Sequence, residues 1–257
     1  MSRVFITGSS DGLGLAAATL LLSQGHEVVG HARNVSRAAD LRRAAPGIAD
    51  VAVGDLGRAA ESRSVADQVN AHGRFDAVIH NAGIGYRESR KVTTVDGHAQ
   101  VLAVNVLAPY LLTALIERPD RLVYLSSGMH RGGTPSADDL DWNRRRWHGS
   151  QAYSDSKLYD TVLAFAIARR WPDVLSNAVD PGWVATKMGG PGARDDLSLA
   201  PVTQAWLAVS DDPAATVSGQ LFYHQRPREV HPAVRSRQFQ DELLGALAEL
   251  TGTKLPG

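Results

Sequence analysis

The first 25 residues constrain the fold of this chain more than any other stretch. Arg3-Val4-Phe5-Ile6-Thr7 is a short apolar run of strand character, and Gly8-Ser9-Ser10-Asp11-Gly12-Leu13-Gly14 follows it without a spacer. An apolar helix is expected from about 13 to 24, closed by Gly25. Strand, glycine turn and helix in this order are the setting of a dinucleotide loop. The glycines let the backbone approach a pyrophosphate, and the helix N-terminus presents N–H groups and a positive dipole end. Three glycines alone mark any tight turn; their place between strand and helix is what points to a cofactor.

The alternation continues down the chain. Further strands are expected at about 27–31, 50–54, 76–80, 121–125, 174–179 and 220–224, and helices at about 35–45, 58–72, 96–116, 152–171 and 201–210. This pattern implies α/β architecture: a single doubly wound, Rossmann-type domain over 1–257, with about seven parallel strands flanked by helices. The tail, 226–257, is polar and then helical around Phe239, Leu243, Leu244, Leu247 and Leu250, a spacing suited to docking on the domain or at a subunit contact.

Composition narrows the chemistry. The formal net charge is zero, which gives no reason to expect nucleic acid or an anionic membrane as partner. With no cysteine, disulfides, thiolate chemistry and cysteine–zinc sites are excluded. The nine histidines show no ligand spacing, so no metal site is expected. No apolar run reaches membrane-spanning length. The N-terminus enters a strand at once, leaving no room for a signal peptide, so a cytoplasmic protein is expected.

Tyr153-Ser154-Asp155-Ser156-Lys157 carries the candidate chemistry. A tyrosine and a lysine four apart share one helix face. A lysine cation beside a phenol favours the phenolate and lowers its pKa, and a tyrosine so tuned can exchange a proton with a substrate oxygen near neutral pH. A chance pair on a solvated face is the alternative, so what matters is whether the rest of the chain supplies a use. Ligands of open parallel sheets bind beyond the carboxyl ends of the strands. There the fifth strand ends in Ser126-Ser127-Gly128, a hydroxyl pair able to orient a carbonyl oxygen. The second strand ends in Ala32-Arg33-Asn34, with no acid to accept the ribose hydroxyls of NAD. A guanidinium suits the 2′-phosphate of NADP; a solvated arginine opening a loop is the alternative. Asp55-Leu56 closes the third strand, where Asp55 alone reads equally as a helix N-cap. Asn105 interrupts an apolar helical run and, as a buried amide, requires specific partners.

Thr7-Gly8-x-x-x-Gly12-x-Gly14, Asp55, Asn81-Ala82-Gly83, Asn105, Ser127, Tyr153-x-x-x-Lys157 and Pro181-Gly182, in that order, resemble the short-chain dehydrogenase/reductase family of classical type over nearly the whole chain. The resemblance implies catalytic roles for Asn105, Ser127, Tyr153 and Lys157, with Ser126 as the fallback serine. It implies that Asn105 holds a water linking the lysine to solvent. Cofactor contacts are implied at Gly8, Ser9, Ser10, Asp11, Gly12, Leu13, Gly14, Arg33, Asn34, Asp55, Leu56, Asn81, Ala82, Gly83, Tyr153, Lys157, Pro181, Gly182, Val184 and Thr186. Asp55 would meet the adenine amino group, and Lys157 the nicotinamide ribose. Asp11 is a departure, since some NADP-dependent relatives carry a basic residue there. The implied activity is NADP(H)-dependent hydride transfer on a small carbonyl or alcohol, with ketone or aldehyde reduction favoured. NAD(H) with an alcohol dehydrogenase is the alternative, and a non-catalytic dinucleotide sensor is a third. Homodimers or homotetramers are the associations considered.

Segments 129–151 and 187–200 carry no transferable motif and are expected to be substrate loops. Ser127 and Tyr153 stand 26 positions apart, a long insertion similar to those of the retinol dehydrogenase-like branch and of bacterial ketoreductases. Trp142 and Trp147 either wall a substrate or anchor this loop, and Arg144-Arg145-Arg146 reads as a solvated face.

Overall fold

The computed structural model describes residues 1–257. One eight-stranded sheet has the order β3-β2-β1-β4-β5-β6-β7-β8. Its strands are β1 (Arg3–Ile6), β2 (Glu27–Ala32), β3 (Asp50–Val53), β4 (Ala77–His80), β5 (Arg121–Leu125), β6 (Leu175–Val179), β7 (Leu221–Tyr223) and β8 (Arg226–Arg228). The first seven pair in parallel, as the alternating pattern predicts. The eighth strand turns back antiparallel on β7 through His224 and Gln225, both at positive φ. Arg-Pro-Arg has no strand pattern, so β8 was hidden within the polar tail.

Helices cover both faces: α1 (Gly12–Ser23), α2 (Val35–Ala44), α3 (Ala59–Asn70), α4 (Gln100–Leu102), α5 (Ala108–Leu115), α6 (Gly149–Arg170), α7 (Val202–Val209) and α8 (Arg237–Thr251). The helix expected at 96–116 begins four residues later, after a turn pinned by the Thr93–Ala99 bridge. It also contains a π-helical turn, Ala103–Leu107, between α4 and α5. Such turns displace a side chain from the regular ladder, and here the turn carries Asn105.

Sixteen consecutive residues of α6, from Ala152 to Ile167, are buried. The sheet covers one side of α6, and α8 and the tail cover another, with Phe239, Leu243, Leu244 and Leu247 in the same core. The tail thus docks on its own domain: the Tyr110 hydroxyl donates to the Thr253 carbonyl (2.9 Å) and the Trp171 indole to Pro256 (3.2 Å). No helix is long and apolar enough to cross a membrane.

Candidate active site

The glycine loop is held from below by paired polar groups. The Asn81 amide donates to the carbonyls of Thr7 (3.0 Å) and Gly8 (3.1 Å), and the Ala82 N–H donates to the Thr7 hydroxyl (2.9 Å). Gly8 is at φ +62°, and a Cβ there would meet the Ala82 Cα at 2.8 Å. A Cβ on Gly14 would collide with Asn81 and the Gly8 carbonyl, whereas one on Gly12 would meet open space. The loop therefore packs tightly on its sheet side and opens on the other. Asp11 is the N-cap residue of α1 but makes no side-chain cap bond. Its carboxylate pairs with Arg37 (2.7 Å) and Lys187 (2.7 Å) instead, leaving the first N–H groups of α1 to an anion. This cradle fits a dinucleotide pyrophosphate.

Sequence reading missed His31 and Arg37. The buried His31 ring accepts from the Gly8 N–H at Nδ1 (3.0 Å) and lies 2.8 Å from the Gly54 carbonyl at Nε2. Accepting at one nitrogen requires donation at the other, so the ring is neutral with its proton on Nε2. Burial lowers its pKa to about 4, against the raising pull of the Gly54 carbonyl and Asp55. Arg37 also donates to the Ser10 carbonyl (3.2 Å), tying α2 to the glycine loop. Its signal was position: it stands three residues after Asn34, whose side chain caps α2 by accepting from the Arg37 N–H (2.9 Å). Arg33 is exposed at the end of β2.

Asp55 does not cap α3. Its carboxylate accepts from the Gly57 N–H (2.9 Å), and Arg58 takes the N-cap position, because two residues of turn intervene. Leu56 is buried in the main core.

Around the Tyr–Lys pair the structure brings four predicted residues to one end of the sheet. Ser127 and Tyr153 line one cavity of about 430 Å³, with Leu13, Pro181, Gly182, Val184 and Thr186 on its walls. The Ser126 hydroxyl turns into α6, bonding Thr161 (2.6 Å) and the Lys157 carbonyl (3.2 Å). Ser127 caps the following turn by accepting from Met129 (3.2 Å). Asn105 is fully buried and completely paired. Its Oδ1 accepts from the Ile84 N–H (2.8 Å), and its Nδ2 donates to the Ile84 carbonyl (3.1 Å) and the Ser156 hydroxyl (3.0 Å). It meets the requirement for specific partners and fixes the chain after Gly83, where a Cβ would lie 3.7 Å from the Lys157 Nζ.

One electrostatic expectation is reversed. Lys157 does pull the Tyr153 pKa down, and the Ser127 hydroxyl helps, but burial of the phenol outweighs both and the net direction is upward. Spacing reveals the cation but not the depth of burial. The Tyr153 hydroxyl donates to the Met188 sulfur (3.9 Å), and its ring packs edge-on against Tyr86 at 5.7 Å.

The long insertion is tied down. Asp155, inside the Tyr-x-x-x-Lys stretch, accepts from the Thr134 N–H (2.8 Å), Gln151 (2.9 Å) and Arg145 (2.8 Å). Arg145 also lies over the Trp142 ring at 3.6 Å. It is therefore not part of a solvated face, unlike exposed Arg144 and Arg146. Trp142 packs on Trp147 (5.5 Å), whose indole donates to the Glu88 carbonyl (2.9 Å). Both tryptophans anchor the segment, and Met129 is its contribution to the cavity wall. Wall residues that sequence reading did not single out include Tyr86, Asp180, Trp183, Tyr223 and Arg228, while Met188, Gly189 and Asp195 come from the segment 187–200.

Sheet order, glycine cradle and strand-end cavity together define a Rossmann-type, NAD(P)-binding α/β oxidoreductase. The short chain dehydrogenase family model matches residues 2–121. An uncharacterized oxidoreductase of Emericella nidulans is 45% identical with both chains fully covered, and the short-chain dehydrogenase chyC of Penicillium rubens is 38% identical, again over the whole of both. A Streptomyces protein named for daunorubicin C-13 ketoreduction is 33% identical over 87% of this chain and 83% of its own. Among solved structures, an uncharacterized protein from Mycobacterium paratuberculosis superposes with a TM-score of 0.87 at 26% identity, covering 100% of this chain and 96% of that one. The chain belongs to the classical short-chain dehydrogenase/reductase family.

Proposed function

We propose that the protein is an NADP(H)-dependent reductase of ketones or aldehydes, with residues 1–257 acting as one unit and Tyr153 as proton donor. The observation that carries this reading is the Tyr153 hydroxyl on the wall of a strand-end cavity, beside Ser127 and one helical turn from Lys157. NADPH, when bound, supplies the hydride. The chain's own residues do the rest. Ser127 orients the substrate oxygen, Tyr153 releases its proton to that oxygen, and Lys157 stabilises the phenolate left behind. Asn105 holds the backbone at Ile84 that frames the site. The N–H groups of Gly8 to Gly14 would hold the pyrophosphate, Asp55 the adenine, and the loop from Pro181 to Thr186 the nicotinamide side. The ketoreductase name of the Streptomyces relative supports a carbonyl as substrate.

Preference for NADP rests on Arg33, exposed just past β2, whose guanidinium suits an anionic 2′-phosphate. The second reading, an NAD-dependent enzyme, is favoured by Asp11, which already occupies Arg37. Titrating both cofactors and then offering a carbonyl panel, with nicotinamide absorbance as readout, separates the two. Arg33→Ala is expected to weaken NADPH binding about tenfold and leave NADH unchanged. Tighter binding of NADH by the unaltered protein sinks the NADP assignment.

A further inference from the structure

The lysine of the site has a partner that the motif does not supply. Lys157 is 4% exposed and Asp160, three residues on along α6, is 1% exposed. The ammonium donates to the Leu125 carbonyl, at the end of β5, and to Asp160 Oδ2 (3.3 Å). A buried ammonium with no counter-ion is costly, and so is a buried carboxylate; at this spacing each relieves the other. Asp160 Oδ1 is buried without a partner, so the carboxylate is committed to the lysine and not to a separate network.

We propose that Asp160 is a positioning residue of the active site, whose carboxylate anchors the Lys157 ammonium at the end of β5 and offsets the field that ammonium exerts on Tyr153. This rests on the reading of Tyr153 as the proton donor. The two charges act on Tyr153 in opposite directions, Lys157 downward and Asp160 upward. That opposition is part of why burial prevails at the phenol. Burial in turn raises Asp160 to about 6, against the pull of Lys157. The other titratable groups around the pair are Tyr124 from β5, on which the charge of Asp160 also acts, and His80 from β4, stacked on Tyr124 at 4.7 Å. Burial holds His80 neutral, and burial, with the charge of Asp160 adding to it, holds Tyr124 protonated. Asp180 acts on Tyr153 from the end of β6, in the same direction as Asp160.

The test is the titration of Tyr153 itself, followed by NMR of ring-labelled tyrosine in the full chain, with Tyr153→Phe to assign the signal. Asp160→Asn keeps an acceptor for the ammonium and removes the charge. The Tyr153 midpoint is expected to fall by about one pH unit, and the rising limb of alcohol oxidation against pH to move with it, while KM for the carbonyl stays within about twofold. Asp160→Ser gives the same reading should the asparagine variant fail to fold. A midpoint unmoved or raised in a folded variant overturns the proposal, even if melting temperature falls, because a merely structural role would lower stability alone. The titration needs no substrate, so an inactive carbonyl panel would count against the proposed reaction and leave this result standing.

Discussion

The site has a floor and a cover built on opposite plans. The floor is the layer under the glycine loop and behind Tyr153: His31 in β2, Asn81 just past β4, Asn105 on the π-helical turn, and Lys157 and Asp160 on α6. These are buried or half-buried groups, tied by bonds to backbone or to one another. The cover runs from Asp180 to Ala200, is largely exposed, and contains four glycines. It is fastened by a few contacts, among them Asp195 accepting from the Trp183 N–H (2.6 Å) and Lys187 reaching Asp11 (2.7 Å). On the proposed reading, chemistry that must sit within tenths of an ångström falls to the floor, and selection among substrates to the cover.

The comparison is broken most directly at Tyr153. On the proposed reading Tyr153→Phe removes the proton donor, and it keeps the ring against Tyr86. Carbonyl reduction is expected to fall by about 10²–10⁴-fold, with cofactor affinity and melting temperature close to those of the unaltered protein. Steady-state kinetics beside a cofactor titration checks both. Full activity in this variant would remove the floor from the chemistry.

The same division decides what the sequence could reveal. A strand end or a helix turn fixes the spacing of motif residues, so Gly8, Gly12 and Gly14 of the loop and Asn81, Asn105 and Lys157 of the floor were legible in the sequence alone. Supporting groups were not. His31 reaches Gly8 from a neighbouring strand and Asp155 holds Thr134, 21 residues away in sequence, relations that only the folded chain creates. Burial was equally invisible, which is why the Tyr153 pKa was expected to move the wrong way. Tyr86 and Arg228 line the cavity from segments with no period or motif at all, and of the segment 187–200 the sequence marked the stretch but not which side chains, Met188 among them, would face the cavity.

Acid is expected to open the floor next. Burial lowers His31 to about 4 and His80 to about 3, from an ordinary 6.5. Between pH 6.5 and 4 the unfolded chain binds protons that the folded chain refuses, so stability falls as pH falls through that window. Each histidine contributes about 1.4 kcal/mol per pH unit. Asp160 works in the opposite sense. Raised to about 6, it takes up its proton in the folded state first, favouring the fold between about 6 and 3.8 and offsetting one histidine. For these three groups together the loss from pH 6 to pH 4 is roughly 2–3 kcal/mol, and His26 and His130, also lowered by burial, act in the same direction. Urea unfolding at pH 6, 5 and 4 measures it; a flat profile would mean that the floor is wetter than its packing implies.

The smallest effect is expected in the cover, and it sharpens the comparison. Met188 lies against the Tyr153 hydroxyl with its sulfur at 3.9 Å, and its Cγ fills the space where a Cβ on Gly85 would stand. A substrate oxygen approaching Tyr153 must replace that sulfur, a weak acceptor on a flexible side chain. Met188→Ala therefore trades a displaceable contact for cavity space. For bulky ketones kcat/KM is expected to rise by about two- to fivefold, carried by KM, with kcat nearly unchanged. Small aldehydes lose a packing partner and are expected to show a KM higher by a similar factor. Kinetics across ketones of graded size read both trends at once. A drop in kcat of about tenfold for every substrate would place Met188 with the floor, because only a group positioned for the transition state acts on kcat irrespective of substrate size.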